Sequence, residues 1–143
     1  MGMSVVEKAL KLRTVDVLAR VSSEELAYIA DIAEEIDLLP ETPIYAHGDA
    51  PDALYVVVSG TVRLHQDGEE IGLLGTGEAF GSWALFDEAP RVASAVAAGP
   101  VTALKVDREE FLELLGDRVD LVRAIFKAMV ERIRSLAELA QQR

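Results

Sequence analysis

The stretch FGSWALFDEAPRVAS (residues 80–94) places a glycine, a short apolar segment, a proline and an arginine within fifteen positions. Its arginine, Arg91, is the only lysine or arginine between Arg63 and Lys105. Glycine lets the backbone approach a ligand closely, and a short helix beginning near Ser82 would present free N–H groups. An arginine nine residues farther on can form a two-pronged bond to phosphate oxygens. We therefore predict a phosphate-binding loop in which Arg91 holds the anion.

Short apolar segments surround this stretch throughout residues 38–106. β-branched and aromatic residues alternate there with clusters of glycine, aspartate and proline at intervals of about ten residues, which is typical of antiparallel strands. The tripeptide Gln66-Asp67-Gly68 separates two such segments and predicts a tight hairpin. We therefore predict an antiparallel roll, barrel or sandwich over this part of the chain.

Residues 1–37 are predicted to form the N-terminal helices. Two amphipathic patterns follow each other there, SVVEKALKLRTVDVLARV and SSEELAYIADIAEEI. Ser22 or Ser23 is positioned to cap the second helix, and Glu25 follows Ser22 at the distance of a capping box. The carboxylates of the run EELAYIADIAEEIDLL are assigned to the polar face of this helix rather than to acid–base chemistry.

Residues 107–143 are predicted to form the C-terminal helices. Asp107 is expected to cap the first of them and Gly116 to end it, and Asp117 or Asp120 is expected to begin a long last helix. Apolar residues recur along that helix at alternating spacings of four and three, which is a heptad seam. The seam consists of Val122, Phe126, Met129, Ile133, Leu136 and Ala140.

The heptad seam has two interpretations. It packs either on the β-layer of its own domain or on a second copy of the chain in a homodimer. A second apolar row, Leu121, Ile125 and Ala128, is predicted to face the roll. The sequence leaves the choice between these two interpretations open.

Four segments in order carry a resemblance to a known family: HGDAPDALYVVVSGTVRLH, LGTGEAFG, ALFDEAPRVAS and the closing helix. Together they resemble the cyclic nucleotide-binding domain over residues 14–140. The resemblance implies one domain, 1–143, that is mainly β with flanking helices. Its expected architecture is an antiparallel double-stranded β-helix (a jelly-roll-like β-roll) over 38–106, with N-terminal helices, a short cassette helix within the roll and a long C-terminal helix.

The resemblance also implies the ligand and the residues that bind it. The family's phosphate-binding cassette reads Phe-Gly-Glu-Leu-Ala-Leu and, a few residues later, Pro-Arg-Ala-Ala followed by Thr or Ser. This chain aligns with that pattern without insertion or deletion, and the implied ligand is cyclic AMP or cyclic GMP, with no other cofactor and no metal. The implied ligand-binding residues are Phe80, Gly81, Ser82, Trp83, Ala84, Leu85, Arg91, Val92, Ala93 and Ser94.

Two positions depart from the family's cassette. Ser82 stands where the family has a carboxylate that accepts a hydrogen bond from the ribose 2′-hydroxyl, and Trp83 stands where it has a smaller aliphatic residue. Neither Asp87 nor Glu88 occupies the position of that carboxylate. Weakened or altered nucleotide binding is therefore expected. The residues alone also allow Arg91 to form a surface ion pair with Asp87 or Glu88, which would contribute little energy.

Composition argues against several other classes of protein. The chain has no cysteine, and its two histidines, His47 and His65, stand eighteen positions apart without a partner ligand motif, so no metal centre and no catalytic residues are predicted. Residues 21–100 carry fifteen acidic and two basic side chains, a balance of −13 that repels nucleic acid. No apolar run approaches the roughly 18 residues that a membrane span needs, so a cytoplasmic protein without membrane insertion is expected.

The sequence therefore favours a non-enzymatic regulatory or sensor module that binds a cyclic nucleotide or another small phosphorylated ligand. Two alternatives stay open at this point. One is a degenerate domain that no longer binds a nucleotide and serves interaction or dimerisation through the C-terminal helix. The other is a fragment of a larger transcription regulator, channel or transporter.

Overall fold

The computed structural model describes residues 2–141 and contains two four-stranded antiparallel sheets with helices at both ends of the chain. The prediction of a mainly β fold with flanking helices is confirmed. The strands are β1 Glu34–Leu38, β2 Pro43–Tyr45, β3 Ala53–Ser59, β4 Val62–Gln66, β5 Glu69–Leu74, β6 Ala79–Phe80, β7 Ser94–Ala97 and β8 Val101–Asp107. The α-helices are α1 Val5–Leu12, α2 Ser23–Ile32, α3 Arg108–Asp117 and α4 Val119–Gln141.

Two short 3₁₀ helices complete the fold. The first spans Asp16–Leu18, and the second, Ser82–Leu85, is the cassette helix between β6 and β7. Strand order is β1-β8-β3-β6 in one sheet and β2-β7-β4-β5 in the other, so the cassette helix connects an edge strand of the first sheet to an inner strand of the second. The stretch that carries the predicted phosphate-binding loop therefore bridges the two sheets.

The predicted hairpin joins β4 to β5. Its two turn residues, Asp67 and Gly68, have φ angles of 52° and 84°, the pair of positive values that a type I′ turn requires. Aspartate and glycine tolerate this left-handed region better than other residues do, which explains why the sequence signal was specific. The hairpin prediction is confirmed.

The first sheet begins earlier than the sequence pattern predicted. Helix α2 ends at Ile32, and residues 34–37, which we assigned to the helices, form β1 together with Leu38 and pair with β8. Ile36 and Leu38 alternate with charged residues and pack against the interior of the roll. Ser22 caps α2 as predicted, since its hydroxyl accepts the N–H of Glu25 at 3.1 Å. Hydrogen bonds to β8, together with the alternation of apolar and charged side chains along the strand, thus override the helical pattern over these residues.

The C-terminal helices begin and end at slightly different residues from those predicted. Asp107 caps α3 as expected, because its Oδ1 accepts the N–H of Glu110 at 3.0 Å. Gly116 lies inside α3, which continues to Asp117, and α4 begins at Val119, so neither Asp117 nor Asp120 is its cap. Arg118 breaks the helix: its backbone is extended and its guanidinium stacks 3.6 Å from the ring centre of Tyr28.

The predicted inner row of α4 is buried, whereas the heptad seam is mostly exposed. Leu121, Ile125 and Ala128 are buried, and α4 packs mainly against the 3₁₀ helix Asp16–Leu18 and α3 rather than directly on the roll. Phe126 and Ile133 of the seam are 67% and 66% exposed. The interpretation in which the seam packs on its own β-layer is therefore wrong.

Within residues 2–141, no helix is long and apolar enough to cross a membrane.

The main hydrophobic core lies between the first sheet and the helices. Its largest fully buried side chain is Phe111 of α3, whose ring meets Phe86 edge-on with 5.6 Å between ring centres. Phe86 follows the cassette helix directly, and Leu85 is part of the same core. Packing of α3 therefore fixes the end of the cassette helix that lies away from Gly81.

Replacing Phe111 by alanine is expected to lower the free energy of unfolding by about 3 to 5 kcal/mol, because the loss of a buried ring leaves a cavity. The neighbouring substitution Leu112→Ala is the control, since Leu112 is exposed on the same helix and should change stability by about 0.5 kcal/mol or less. Urea denaturation of both variants measures the difference. Equal effects of the two substitutions would contradict this description of the core.

Candidate functional site

A cavity of about 440 Å³ lies beside the cassette helix. Eight of the ten predicted ligand-binding residues line it: Phe80, Gly81, Ser82, Trp83, Ala84, Arg91, Val92 and Ala93. The second sheet and its connections contribute further walls, among them Tyr45, Leu64, Ile71 and Leu74, which sequence reasoning did not find. The lining is largely apolar, with a single cationic side chain, that of Arg91.

The other two predicted residues lie outside the lining of this cavity. Leu85 is fully buried in the main core, where it anchors the cassette helix to α3 and the first sheet. Ser94 begins β7, and its hydroxyl accepts the backbone N–H of His47 at 2.9 Å. Both residues support the walls of the cavity, and their contact with a ligand stays a prediction.

Arg91 is buried, with 7% of its surface exposed. Its Nη2 donates to Asp52 Oδ1 at 2.9 Å and to the carbonyl of Ala53 at 2.7 Å, and its guanidinium carbon lies 4.0 Å from the ring centre of Tyr45. The alternative of a surface ion pair with Asp87 or Glu88 is therefore wrong. The Asp52 side chain is itself 60% exposed, and the buried Nε of Arg91 has no hydrogen-bond partner within residues 2–141.

Gly81 makes this placement of Arg91 possible. Its φ angle is +70°, in the left-handed region that favours glycine, and a Cβ atom there would lie 2.5 Å from Arg91 Nη1 and 3.2 Å from the carbonyl oxygen of Ala53. The guanidinium therefore rests against backbone at the start of the cassette helix. Any larger residue at position 81 would push the arginine out of its place.

The backbone around Arg91 is fixed by hydrogen bonds in both directions. Its N–H donates to the carbonyl of Asp49, its carbonyl accepts the N–H of Gly48, and both distances are 2.8 Å. Next to it, the carbonyl of Val92 accepts from Gln66 Nε2 at 3.0 Å. The loop that carries the guanidinium is thereby tied both to the turn before β3 and to β4, so the backbone from which the cation projects is held in place.

Two neutral phenols flank the guanidinium. Burial raises the pKa of Tyr55 to about 12, the negative charge of Asp52 adds to this, and Arg91 opposes it. Burial also raises the pKa of Tyr45, against the lowering effect of Arg91. The ring of Phe80 stacks on Tyr55 with 5.0 Å between centres. Because both phenols stay protonated at neutral pH, neither cancels the positive charge of Arg91.

Trp83 lies on a wall shared by two cavities. It lines the cavity beside the cassette helix, which we call the Arg91 cavity. It also lines a second cavity of about 460 Å³ together with Asp16 and Arg132, whose side chains form an ion pair at 2.9 Å. The indole is mostly exposed, and the Arg91 cavity remains open beside it. The bulk of Trp83 therefore borders the space beside Arg91 without filling it.

Metal binding finds no support in the side chains around this site. Across residues 2–141, no three histidine, cysteine, aspartate or glutamate side chains are grouped so that they could hold a metal ion. The carboxylate nearest to Arg91, that of Asp52, instead makes an ion pair with the guanidinium. The chemistry that the arrangement offers is the binding of an anion next to an apolar surface.

Comparison with known proteins identifies a family and several relatives that this chain resembles. A family model described as cyclic nucleotide-binding domain matches residues 35–118. The cyclic AMP receptor protein of Thermus thermophilus is 44% identical over 95 residues, which are 63% of this chain and 44% of that protein. A cAMP-dependent protein kinase regulatory subunit of Aspergillus niger is 36% identical over 114 residues, which are 78% of this chain and 28% of that protein.

The fold has solved counterparts as well. The crystal structure of the N-terminal domain of a transcriptional regulator from Streptomyces coelicolor A3(2) superposes with a TM-score of 0.79 at 27% identity, covering 91% of this chain and 94% of that one. The chain spans less than half the length of the two curated relatives named above. The matched residues 35–118 include strands β2 to β8, all of β1 except Glu34, the cassette helix and α3, and they contain every residue that lines the cavity around Arg91. This chain therefore belongs to the cyclic nucleotide-binding domain family.

Proposed function

We propose that this chain is a non-enzymatic sensor module that binds cyclic AMP or cyclic GMP, with the cyclic phosphate held by Arg91. The observation that carries the proposal is the buried guanidinium on the cavity wall, whose Nε lacks a protein partner in the described structure. A buried polar group without a partner is costly, and an anion in the cavity would satisfy it. The relatives named as a cyclic AMP receptor protein and a kinase regulatory subunit support this choice of ligand.

The size and lining of the cavity support the same ligand class. A volume of about 440 Å³ lies within the range of roughly 300 to 1,000 Å³ that is usual for small-molecule sites. Aromatic and aliphatic side chains surround the single cation, and such a surface suits a flat purine base attached to a charged phosphate.

The predicted cytoplasmic location stays a prediction.

Titration calorimetry with cyclic AMP and cyclic GMP tests this proposal. We expect the protein to bind at least one of them at micromolar or lower concentration, and Arg91→Ala to weaken binding about a hundredfold, because charge-assisted bonds to the phosphate are lost. The variant leaves no buried carboxylate unpaired, since Asp52 is largely exposed. Circular dichroism confirms that the variant is folded.

Arg63→Ala is the matched control for this experiment, because Arg63 lies on β4 in an ion pair with Glu41 and does not line the cavity. Its nucleotide affinity should equal that of the unmodified protein. Absence of binding by the folded protein, or equal binding by Arg91→Ala, would contradict the proposed function and favour the degenerate interaction domain.

We also propose that Ser82 weakens nucleotide binding. A hydroxyl replaces the charged acceptor that the family resemblance places next to the ribose 2′-hydroxyl, and a hydrogen bond to a charged group contributes about 1.5 to 3 kcal/mol. Ser82→Glu is therefore expected to tighten cyclic AMP binding by about ten- to a hundredfold. The same titration with 2′-deoxy cyclic AMP should show no gain. A variant that binds both nucleotides no better than the unmodified protein would contradict this role.

A second proposal concerns α4, which we propose joins two copies of the chain in a homodimer. The exposure of Phe126 and Ile133, one heptad apart, supports this pairing. Sedimentation velocity should show a dimer at high micromolar concentration, and the double substitution Phe126→Glu and Ile133→Glu should yield a monomer, because burying two carboxylates in the seam is costly. Lys127→Glu, beside the seam, should leave the dimer intact. A monomeric unmodified protein would contradict the proposal.

A further inference from the structure

The guanidinium of Arg91 has two kinds of contact, along its edge and across its face. Along the edge, Nη2 donates two hydrogen bonds, to Asp52 Oδ1 at 2.9 Å and to the carbonyl of Ala53 at 2.7 Å. Across the face, the ring centre of Tyr45 lies 4.0 Å from the guanidinium carbon. An aromatic face attracts a cation electrostatically and occupies none of its N–H groups. Tyr45 therefore stabilises the buried charge without using a donor.

This division leaves most of the donors of Arg91 without a protein partner. A guanidinium has five N–H groups, and the two bonds of Nη2 account for two of them. Nε has no partner within residues 2–141, and Nη1 makes no hydrogen bond in the same part of the chain. A carboxylate or carbonyl in place of the ring would occupy more of them. Arg91 lines the cavity, so the remaining donors belong to a cation that an anion can approach.

Tyr45 is itself held between the two sheets. It belongs to β2 of the second sheet, where it pairs with Ala95 of β7. Its ring is tilted against those of Tyr55 and Phe80, with 6.2 Å between ring centres in each case. These two residues pair with each other on β3 and β6 of the first sheet, and their rings stack 5.0 Å apart. Both sheets therefore determine where the ring of Tyr45 lies.

A second arginine has a similar environment away from the cassette helix. The guanidinium carbon of Arg118 lies 3.6 Å from the ring centre of Tyr28, its Nη2 forms an ion pair with Asp120 at 3.3 Å, and its buried Nε also lacks a partner within residues 2–141. Neither Arg118 nor Tyr28 lines the Arg91 cavity or the second cavity that Trp83 borders. This pair is therefore an internal reference for an arginine–tyrosine stack outside the ligand site.

We propose that Tyr45 is a positioning residue of the anion site, whose ring holds the Arg91 guanidinium at the cavity wall and leaves its unpaired N–H groups available to a phosphate. The identity of the ligand rests on the proposed function, whereas the positioning of the arginine does not. Without the ring, the hydrogen bonds of Nη2 are the polar contacts that remain, and the guanidinium gains freedom to turn. An anion would then have to immobilise the side chain on binding, and this ordering lowers affinity.

Nuclear magnetic resonance of the ligand-free protein tests the stack itself. Protons above the face of an aromatic ring are shifted upfield, so the side-chain signals of Arg91 should be shifted in the unmodified protein. Tyr45→Phe keeps the ring and should keep this shift, whereas Tyr45→Leu should remove most of it. Tyr28→Leu is the matched control, because it should move the signals of Arg118 and leave those of Arg91 unchanged.

Calorimetric titration with cyclic AMP and cyclic GMP tests the consequence for binding. We expect Tyr45→Leu to weaken binding about tenfold, a factor within the range of a desolvated cation–π contact. Tyr45→Phe and Tyr28→Leu should each change the affinity by about twofold or less, since the first keeps the ring and the second lies outside the site. Circular dichroism checks that each variant is folded.

A double-mutant cycle separates positioning of the arginine from direct contact with the ligand. When Tyr45→Leu is added to Arg91→Ala, it should change the affinity by about twofold or less, because the ring has no guanidinium left to hold. Titrations followed by magnetic resonance at millimolar nucleotide reach the weak binding of these variants. Inorganic phosphate, titrated in the same way, should shift the Arg91 signals more strongly in the unmodified protein and Tyr45→Phe than in Tyr45→Leu.

Three results would overturn the inference. If Tyr45→Phe loses as much affinity as Tyr45→Leu, the hydroxyl rather than the ring is what matters. If Tyr45→Leu has the same cost in the Arg91→Ala background, the ring does not act through the guanidinium. If the Arg91 signals show no shift that depends on the ring, the stack is absent in solution.

Failure of the proposed function gives a different pattern. A folded protein that binds phosphate at Arg91 in a way that depends on the ring of Tyr45, but binds neither nucleotide, would contradict the proposed function and support the positioning role. A folded protein that binds neither nucleotide nor phosphate would contradict both.

Discussion

The close approach of the Arg91 guanidinium to Gly81 is the contact on which the arrangement of the site depends. It places a cation from the loop before β7 against the backbone that begins the cassette helix, and the same guanidinium binds the carbonyl of Ala53 at the start of β3. Three segments of the chain thus meet at one side chain. The absence of a Cβ atom at position 81 permits the contact, because a Cβ there would lie only 2.5 Å from Nη1.

Burying a guanidinium carries a desolvation cost that the protein offsets only in part. The carboxylate of Asp52, the carbonyl of Ala53 and the ring of Tyr45 stabilise the charge, but Asp52 is mostly exposed and Nε has no partner in the described structure. Full compensation would give a closed ion pair with little capacity for another anion. Incomplete compensation leaves a cation that these contacts hold in position and whose charge still favours an anion.

Local signals in the sequence predicted local structure well, and long-range pairing decided the rest. Asp67 and Gly68 specify their turn, and Asp107 specifies its cap, because each acts within four residues. The segment that forms β1 followed a helical pattern, and only its pairing with β8, almost seventy residues away, makes it a strand. The same limit hid the ion-pair partner of Arg91: Asp52 is thirty-nine residues distant, whereas Asp87 and Glu88 are near in sequence but do not bind the guanidinium.

The surface charge of the domain makes recognition at short range necessary. Residues 21–100 carry a balance of −13, so the long-range field repels a phosphate rather than steering it towards the cavity. Affinity must then come from contacts inside the cavity, where the guanidinium is buried and its interaction with an anion is much less screened than on the surface. Under this constraint an anion alone is a poor ligand for the site. A molecule that also presents a flat apolar body to Trp83 and Val92 satisfies the walls of the cavity as well as its cation.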